Sequence, residues 1–154
     1  MHEWAVARAI VAVASRIASG RVRKVVVSVP VISFLDEDVL KEAYSRAVEG
    51  TPLEGSELEV RTKEVRFTCL NCGREFTSKD VVDQVEALRE EFGEEYPLHM
   101  FPSLAPALIS CPYCGSHDLE VRGGEIKLEG VEVEGDRGRA FRKVGSLLVG
   151  EERV

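Results

Sequence analysis

The chain has 154 residues, of which 44% are hydrophobic, and a formal net charge of −7 at pH 7. These totals predict a globular protein with one small domain, or with a domain that carries a smaller one. They disfavour nucleic acid as the main partner, because phosphate affinity comes from clustered Lys and Arg side chains. We find no signal-peptide pattern and no run of about 18 apolar residues. We therefore expect a cytoplasmic protein. In that reducing compartment, cysteines more often bind metal ions than form disulfides.

The first half of the chain alternates helical and strand patterns. Residues 4–19 carry apolar side chains at helical spacing, and Gly20 is a plausible stop. Residues 23–31 alternate with a period of two, which predicts a strand. Asp36 can cap a second helix that ends near residue 49. Residues 57–67 predict a second strand, and a shift in the parity of their apolar positions suggests a bulge.

The second half contains four cysteines and then residues 119–133, which alternate around a Gly-Gly turn and predict a strand or hairpin returning to the same sheet. The fold class expected is α+β, with a small three-stranded sheet, two helices and an inserted four-cysteine, zinc-ribbon-like domain that has its own helix. The expected domains are residues 1–67 with 119–134 as an α/β domain, residues 68–118 as the inserted zinc domain, and residues 135–154 as a C-terminal extension.

Two C-x-x-C pairs, Cys69-Leu-Asn-Cys72 and Cys111-Pro-Tyr-Cys114, are each followed directly by a glycine. In such a knuckle two thiolates converge on one ion, and the glycine permits the positive φ that the turn requires. Two knuckles close a tetrahedral site without an open position, which is the ligand set typical of structural zinc. The long spacer between them has helical spacing over residues 78–92. The module therefore predicts a zinc-stabilised fold and no catalysis.

The amino terminus offers a second, different set of metal ligands. The terminal amine, the main-chain nitrogen of His2 and the His2 imidazole can form fused chelate rings in one plane, an arrangement that Ni²⁺ and Cu²⁺ favour. A terminal amine has a pKa of about 7.7–8, so the binding of the metal ion should strengthen as the pH rises through neutrality. Taken alone, a histidine at position 2 is more often a solvated side chain. Glu3, likewise, is favourably placed at a helix amino terminus on electrostatic grounds alone.

Together these features resemble a known family. Met1-His2-Glu3-Trp4 followed by an Ala-rich helix is similar to the opening of the HypA family, the hydrogenase nickel-incorporation proteins. The order of elements and the two spaced cysteine pairs are similar too, and the long spacer looks like the archaeal branch. The resemblance covers residues 1–134. Two features depart from it: residues 29–33 replace the usual Gly-Glu-Leu-like segment, and the tail from residue 135 extends past the usual end.

The resemblance implies that Ni²⁺ is carried as cargo, bound by the Met1 amine, the main chain near His2 and Glu3, and the His2 imidazole, with His99 as a further ligand. It implies structural zinc on Cys69, Cys72, Cys111 and Cys114. It also implies two partners, a HypB-like nucleotide-hydrolysing nickel protein and the hydrogenase large subunit. For His117, an ordinary core or surface histidine is the favoured interpretation.

Two other classes of protein compete with a nickel carrier. One is a zinc-ribbon module that binds protein or nucleic acid without nickel transfer, which would show a basic or aromatic face. The charges near the knuckles are balanced instead, with Arg66 and Arg74 against Asp118 and Glu120. The other is an oxidoreductase, but neither cysteine pair opens a helix after a strand. No Ser/His/Asp set and no phosphate-binding Gly-rich loop is evident, so we predict a carrier and not an enzyme.

Overall fold

The computed structural model describes residues 2–99, 101–135 and 138–143. Its elements follow in the order α1 (His2–Ile17), β1 (Arg21–Pro30), α2 (Glu37–Ala47), β2 (Glu57–Lys63), β3 (Arg66–Cys69), β4 (Glu75–Thr77), α3 (Val82–Phe92), α4 (Ala105–Leu108), β5 (Leu119–Arg122), β6 (Lys127–Gly135) and β7 (Gly138–Lys143). The mixed α+β class expected from the sequence is confirmed. None of the described helices is long and apolar enough to cross a membrane.

The chain divides into two compact units. The first unit consists of Met1–Val29, Leu35–Arg61 and Ile126–Val154, and the second unit consists of Pro30–Phe34 and Thr62–Glu125. The sequence placed the domain boundaries near residues 67 and 119 and assigned no part of residues 30–34 to the insert. In the structure the chain passes from one unit to the other near residues 61 and 125, because β3 and β5 pair with each other in a separate sheet.

The first unit is a four-stranded sheet in the order β2-β1-β6-β7, with α1 and α2 contributing to the same core. Helix α1 buries one face at helical spacing, as the periodicity predicts. It begins at His2, two residues earlier than the sequence suggested. Helix α2 begins after Asp36, whose carboxylate accepts hydrogen bonds from the N–H groups of Asp38 and Val39. This is the cap that the sequence predicted.

Strand β7 gives this sheet one strand more than the three expected. It runs antiparallel to β6, from the pair Gly135–Gly138 to the pair Gly130–Lys143. Every described residue of β7 thus has a partner in β6. Residues 138–143, assigned from the sequence to a C-terminal extension, are therefore part of the sheet. The rest of that extension, residues 136–137 and 144–154, lies outside the described residues.

The second unit contains a separate three-stranded sheet in the order β4-β3-β5, together with α3 and α4. The predicted strand over residues 57–67 is thus two strands in two sheets, and the same holds for residues 119–133. The shift in the alternation of apolar residues, which the sequence attributed to a bulge, has another cause. Leu58 packs in the first core and Phe67 in the second. Gly123 has φ +79°, and a Cβ there would lie 3.2 Å from the carbonyl oxygen of Glu64. Only glycine fits this close approach without strain.

Tyr44 supports a prediction about alkaline stability. Its hydroxyl lies 2.6 Å from the Ser56 hydroxyl, and burial raises the pKa of Tyr44 from 10 to about 12, against a smaller lowering effect of Ser56. A phenol with a raised pKa stabilises the folded state fully below about pH 10, and this stabilisation is lost between about pH 10 and 12. We expect the first unit to lose roughly 1–2 kcal/mol over that range.

The Tyr44→Phe variant should lack most of this pH dependence, and at neutral pH it should be less stable by about 1 kcal/mol because the hydroxyl pair is lost. Urea denaturation at several pH values, followed by Trp4 fluorescence, measures the change in the first unit. An equal alkaline loss of stability in the variant and the parent would contradict the prediction.

Candidate metal centres

The first cysteine knuckle follows the end of β3. The N–H of Cys69 donates to the carbonyl oxygen of Arg74 over 2.9 Å, and the N–H of Gly73 donates to that of Cys69 over 2.8 Å. Gly73 has φ +77°, and a Cβ there would meet no atom within 4 Å. The backbone conformation alone therefore requires glycine at this position.

The second knuckle repeats the same pattern of hydrogen bonds. The N–H of Cys111 donates to Ser116 and the N–H of Gly115 donates to Cys111, both over 2.8 Å, and φ of Gly115 is +79°. A hydrogen bond of 2.9 Å from Leu70 to the carbonyl oxygen of Asp118 joins the two knuckles. Two similar turns thus face each other, as the paired motifs predicted.

The four sulfur atoms converge on one point. Among the described residues, the cysteines form the one group of His, Cys, Asp or Glu ligand atoms close enough to share an ion, and all four Sγ atoms lie within 4.8 Å of one another. The Sγ atoms of Cys69 and Cys114 are 3.5 Å apart, and those of Cys72 and Cys111 are 3.7 Å apart. A tetrahedral zinc ion with Zn–S bonds of about 2.3 Å spaces its sulfurs about 3.8 Å apart. The donor set therefore fits structural zinc.

The electrostatics of the thiols also favour a cation. The Asn71 amide, which donates to the Cys114 Sγ over 3.5 Å, and then the main-chain N–H of Ser116 lower the pKa of Cys114 to about 6. The N–H of Arg74 lowers the pKa of Cys72, but desolvation and the neighbouring thiols outweigh it and raise this pKa to about 11. Four thiolates cannot ionise side by side unless a cation offsets their charge. This role of Asn71 was not predicted from the sequence, although the residue lies between the cysteines of the first pair.

Two further contacts brace the knuckles. The guanidinium carbon of Arg74 lies 4.7 Å from the centroid of the Tyr113 ring, which links one knuckle to the other. The Nδ1 atom of His117 lies 3.0 Å from the carbonyl oxygen of Ile109 and 3.2 Å from that of Pro106. The His117 ring thus contacts the chain that leads into Cys111, and it is not a member of the ligand group.

The amino-terminal residues lie in the first turn of α1. His2 is exposed, whereas Glu3 is 7% exposed, and its carboxylate accepts a hydrogen bond of 2.9 Å from the N–H of Asp36. Because Asp36 caps α2, the Glu3 side chain joins the start of α1 to the start of α2. This bond of the Glu3 side chain was not predicted from the sequence, since a partner 33 residues away leaves no local pattern.

The remaining expected nickel ligands are Met1 and His99. Met1 lies outside the described residues, and His99 is described for its backbone, which forms a 3₁₀ turn over Pro97–His99. His2 and Glu3 belong to the first unit of the chain and His99 to the second. The structure thus brings the four cysteines together, whereas nickel binding at the terminus and at His99 stays a prediction.

Comparisons with known proteins give a consistent family. The family described as "Hydrogenase/urease nickel incorporation, metallochaperone, hypA" matches residues 1–133. The hydrogenase maturation factor HypA of Thermococcus kodakarensis is 36% identical over 144 residues, covering 90% of this chain and 99% of that protein. HypA of Pyrococcus furiosus is also 36% identical, over 140 residues that cover 87% of this chain and 96% of the relative.

A solved structure shows a similar fold. The solution structure of the Ni metallochaperone HypA from Helicobacter pylori is 18% identical, with a TM-score of 0.53, and the match covers 85% of this chain and 96% of that chain. The family match includes both cysteine pairs and the His2-Glu3 opening. The chain therefore belongs to the HypA family of hydrogenase and urease nickel-incorporation metallochaperones.

Proposed function

We propose that this chain binds Ni²⁺ at its amino terminus, carries it as cargo and delivers it during the maturation of [NiFe]-hydrogenase. The observation that carries the proposal is the first turn of α1, where an exposed His2 precedes an anchored Glu3. The metal would be bound by the Met1 amine, the main chain near His2 and Glu3, and the His2 imidazole.

The main chain at this position suits such a site. The first four N–H groups of an α-helix have no acceptor within the helix. Deprotonating a main-chain nitrogen at His2 or Glu3 to bind nickel therefore breaks no helical hydrogen bond. The buried face of α1 packs in the first core, so the metal-binding groups near His2 are attached to a helix that is held in place.

The Glu3 side chain supports a main-chain role for this residue. Its carboxylate is buried and already accepts the Asp36 N–H. Moving it onto a metal would leave that N–H without its acceptor, at a cost of about 1–3 kcal/mol. Planar nitrogen ligation, which Ni²⁺ favours and Zn²⁺ does not, needs no carboxylate. The terminal site would thus select nickel over zinc.

The cysteine site has a different task in this proposal. Four thiolates leave no open position, so the zinc is structural and is not the cargo.

His99 in the second unit would act as a further nickel ligand. Losing one ligand to a partner, or protonating the terminal amine, would release the nickel ion. The partners proposed are a HypB-like nucleotide-hydrolysing protein and the hydrogenase large subunit. Four thiols kept reduced for zinc support a cytoplasmic location.

The competing interpretation, a zinc-ribbon module without nickel transfer, accounts for less of the chain. It concerns the second unit alone, whereas the family match extends over residues 1–133 and so includes α1, α2, β1 and β2 of the first unit. It also gives no role to the amino-terminal residues.

Nickel titration of the zinc-loaded protein with an intact Met1 tests the proposal. The chain has three histidines, so His2→Ala, His99→Ala and His117→Ala cover every imidazole, and His117→Ala is the matched control. We expect one equivalent of planar Ni²⁺, detected by calorimetry and by its weak visible band. His2→Ala should weaken binding by more than the roughly 10- to 100-fold typical of residues that only support a ligand. Acetylating the terminal amine should have a similar effect.

Zinc content, measured in every sample, separates loss of the nickel ligands from loss of the fold. His117→Ala with zinc retained should bind nickel as the parent does. If the parent binds Ni²⁺ no more tightly than His2→Ala or the acetylated protein, the amino terminus is not the nickel site and the proposal is wrong.

A further inference from the structure

The four cysteines of the zinc site are of two kinds. Cys69 and Cys111, the first cysteine of each pair, are buried and belong to the second core. Cys72 and Cys114, the second cysteine of each pair, are exposed. Packing in the core therefore holds the first two side chains. The exposed two are held by the metal and by hydrogen bonds from neighbouring residues, so these bonds matter for the retention of the ion.

The exposed Cys114 receives hydrogen bonds from both knuckles. Within its own knuckle, the main-chain N–H of Ser116 donates to it. From the other knuckle, the Asn71 side-chain amide donates to its Sγ atom over 3.5 Å. This distance exceeds the roughly 2.9 Å of an N–H···O bond because sulfur is the larger acceptor atom. Asn71 thus joins the first knuckle directly to a metal ligand of the second.

The two knuckles differ at the position that Asn71 occupies. Asn71 directly precedes the second cysteine of its pair, and the residue at the same position of the other pair is Tyr113. The Tyr113 ring contacts the Arg74 guanidinium, whose carbon lies 4.7 Å from the ring centroid. Side chains therefore cross between the knuckles in both directions. Of these two contacts, the one made by Asn71 ends on a metal ligand.

An amide N–H that points at a thiolate supports metal binding in two ways. It stabilises the negative charge that the sulfur carries as a ligand, and it fixes the direction of the cysteine side chain. Four thiolates around one divalent cation leave an excess of negative charge, so a donor at an exposed sulfur reduces the repulsion between the ligands. Water can also donate to the exposed Cys114, but it does not connect one knuckle with the other.

We propose that Asn71 is a positioning residue that holds Cys114 on the zinc ion, and that Cys114 is the first ligand released when Asn71 is replaced. Because the donor and the ligand belong to different knuckles, the same hydrogen bond holds the two knuckles together on the exposed side of the site. Retention of zinc thus depends on a side chain that does not itself bind the metal. The inference concerns the zinc site and does not require nickel binding at the amino terminus.

Competition between the zinc-loaded protein and a zinc-selective dye tests this inference. Asn71→Leu replaces the amide by an apolar side chain of similar size. Leu70→Ala is the matched control, because Leu70 lies in the same knuckle, is 59% exposed, and bonds to Asp118 through its main chain, which the substitution keeps. We expect Asn71→Leu to weaken zinc binding by about 10- to 100-fold, as is typical of residues that support a metal ligand. Leu70→Ala should bind zinc as the parent does.

Alkylation of the zinc-loaded protein identifies which sulfur is released. A thiolate that leaves the ion attacks iodoacetamide, so that an S–C bond forms and iodide departs. Mass spectrometry of the peptides then gives the cysteine that is labelled first. We expect this to be Cys114 in Asn71→Leu, labelled faster than in the parent or in Leu70→Ala. A substitution that only destabilised the second unit would expose all four cysteines together.

The outcomes decide the inference without reference to nickel. Equal zinc affinity in Asn71→Leu and Leu70→Ala would overturn it. Labelling that is equal at the four cysteines, or that begins at Cys72, would overturn it too, because Asn71 would not then act through Cys114. If Asn71→Leu fails to retain zinc, Asn71→Ala takes its place in both measurements, since it removes the donor and adds no bulk. The nickel titration of His2→Ala tests the proposed function separately.

Discussion

Removing zinc is expected to unfold the second unit while the first stays folded. Cys69 and Cys111 are buried members of the second core, so two of the four metal-binding side chains also contribute to the packing of that core. Structural zinc contributes roughly 10–16 kcal/mol of binding free energy near neutral pH. A hydrophobic core in a unit this small supplies only about 3–5 kcal/mol. Zinc therefore decides whether the second unit folds.

The chain offers a separate probe for each unit. Trp4, its single tryptophan, lies in the first unit, so its fluorescence reports on that unit alone. After chelation of zinc, or in Cys111→Ser, we expect the amides of β3 and β5 to lose their protection against hydrogen exchange while the urea midpoint from Trp4 changes little. Continued protection of β3 and β5 without zinc would refute the prediction.

Replacing Phe67 should have the second-largest effect. Phe67 is 1% exposed and stacks on Phe76 with ring centroids 4.9 Å apart at an angle of 13°. Phe67→Ala removes this contact and leaves a cavity two residues before Cys69, at a cost of about 3–5 kcal/mol. Because zinc binding and folding of this unit are linked, zinc affinity should fall by roughly 100-fold or more. Competition with a zinc-selective dye measures the loss.

Phe101→Ala is the matched control for this substitution. Phe101 belongs to the same unit but is 60% exposed, so its truncation should change stability by no more than about 0.5 kcal/mol. If Phe67→Ala and Phe101→Ala change zinc affinity equally, the packing of Phe67 in the second core does not stabilise the metal site.

Local patterns predicted the parts of the fold that depend on neighbouring residues. The periodicity of α1 and the Asp36 cap of α2 are set within a few turns of chain, and both were predicted correctly. The cysteine pairs were equally clear, because the knuckle geometry is fixed by four consecutive residues and a glycine.

Local patterns could not predict which sheet a strand joins. Residues 57–69 are extended almost throughout, but β2 and β3 pair with different partners. Alternating apolar residues show that a strand has a buried face, and they do not show which core covers it. Pro30 and Val31 were assigned to the end of a strand from the same kind of pattern, whereas β1 ends at Pro30 and the next apolar residue, Ile32, packs in the second core.

The division of the chain has a consequence for the order of synthesis. All segments of the second unit precede residue 126 in the chain, so the synthesis of this unit is complete before that of the first unit. The first unit must wait longer, because β6 lies between β1 and β7 in its sheet and is made last but one. The four cysteines of the zinc site are therefore synthesised before the last strands of the sheet that shares its unit with the helix beginning at His2.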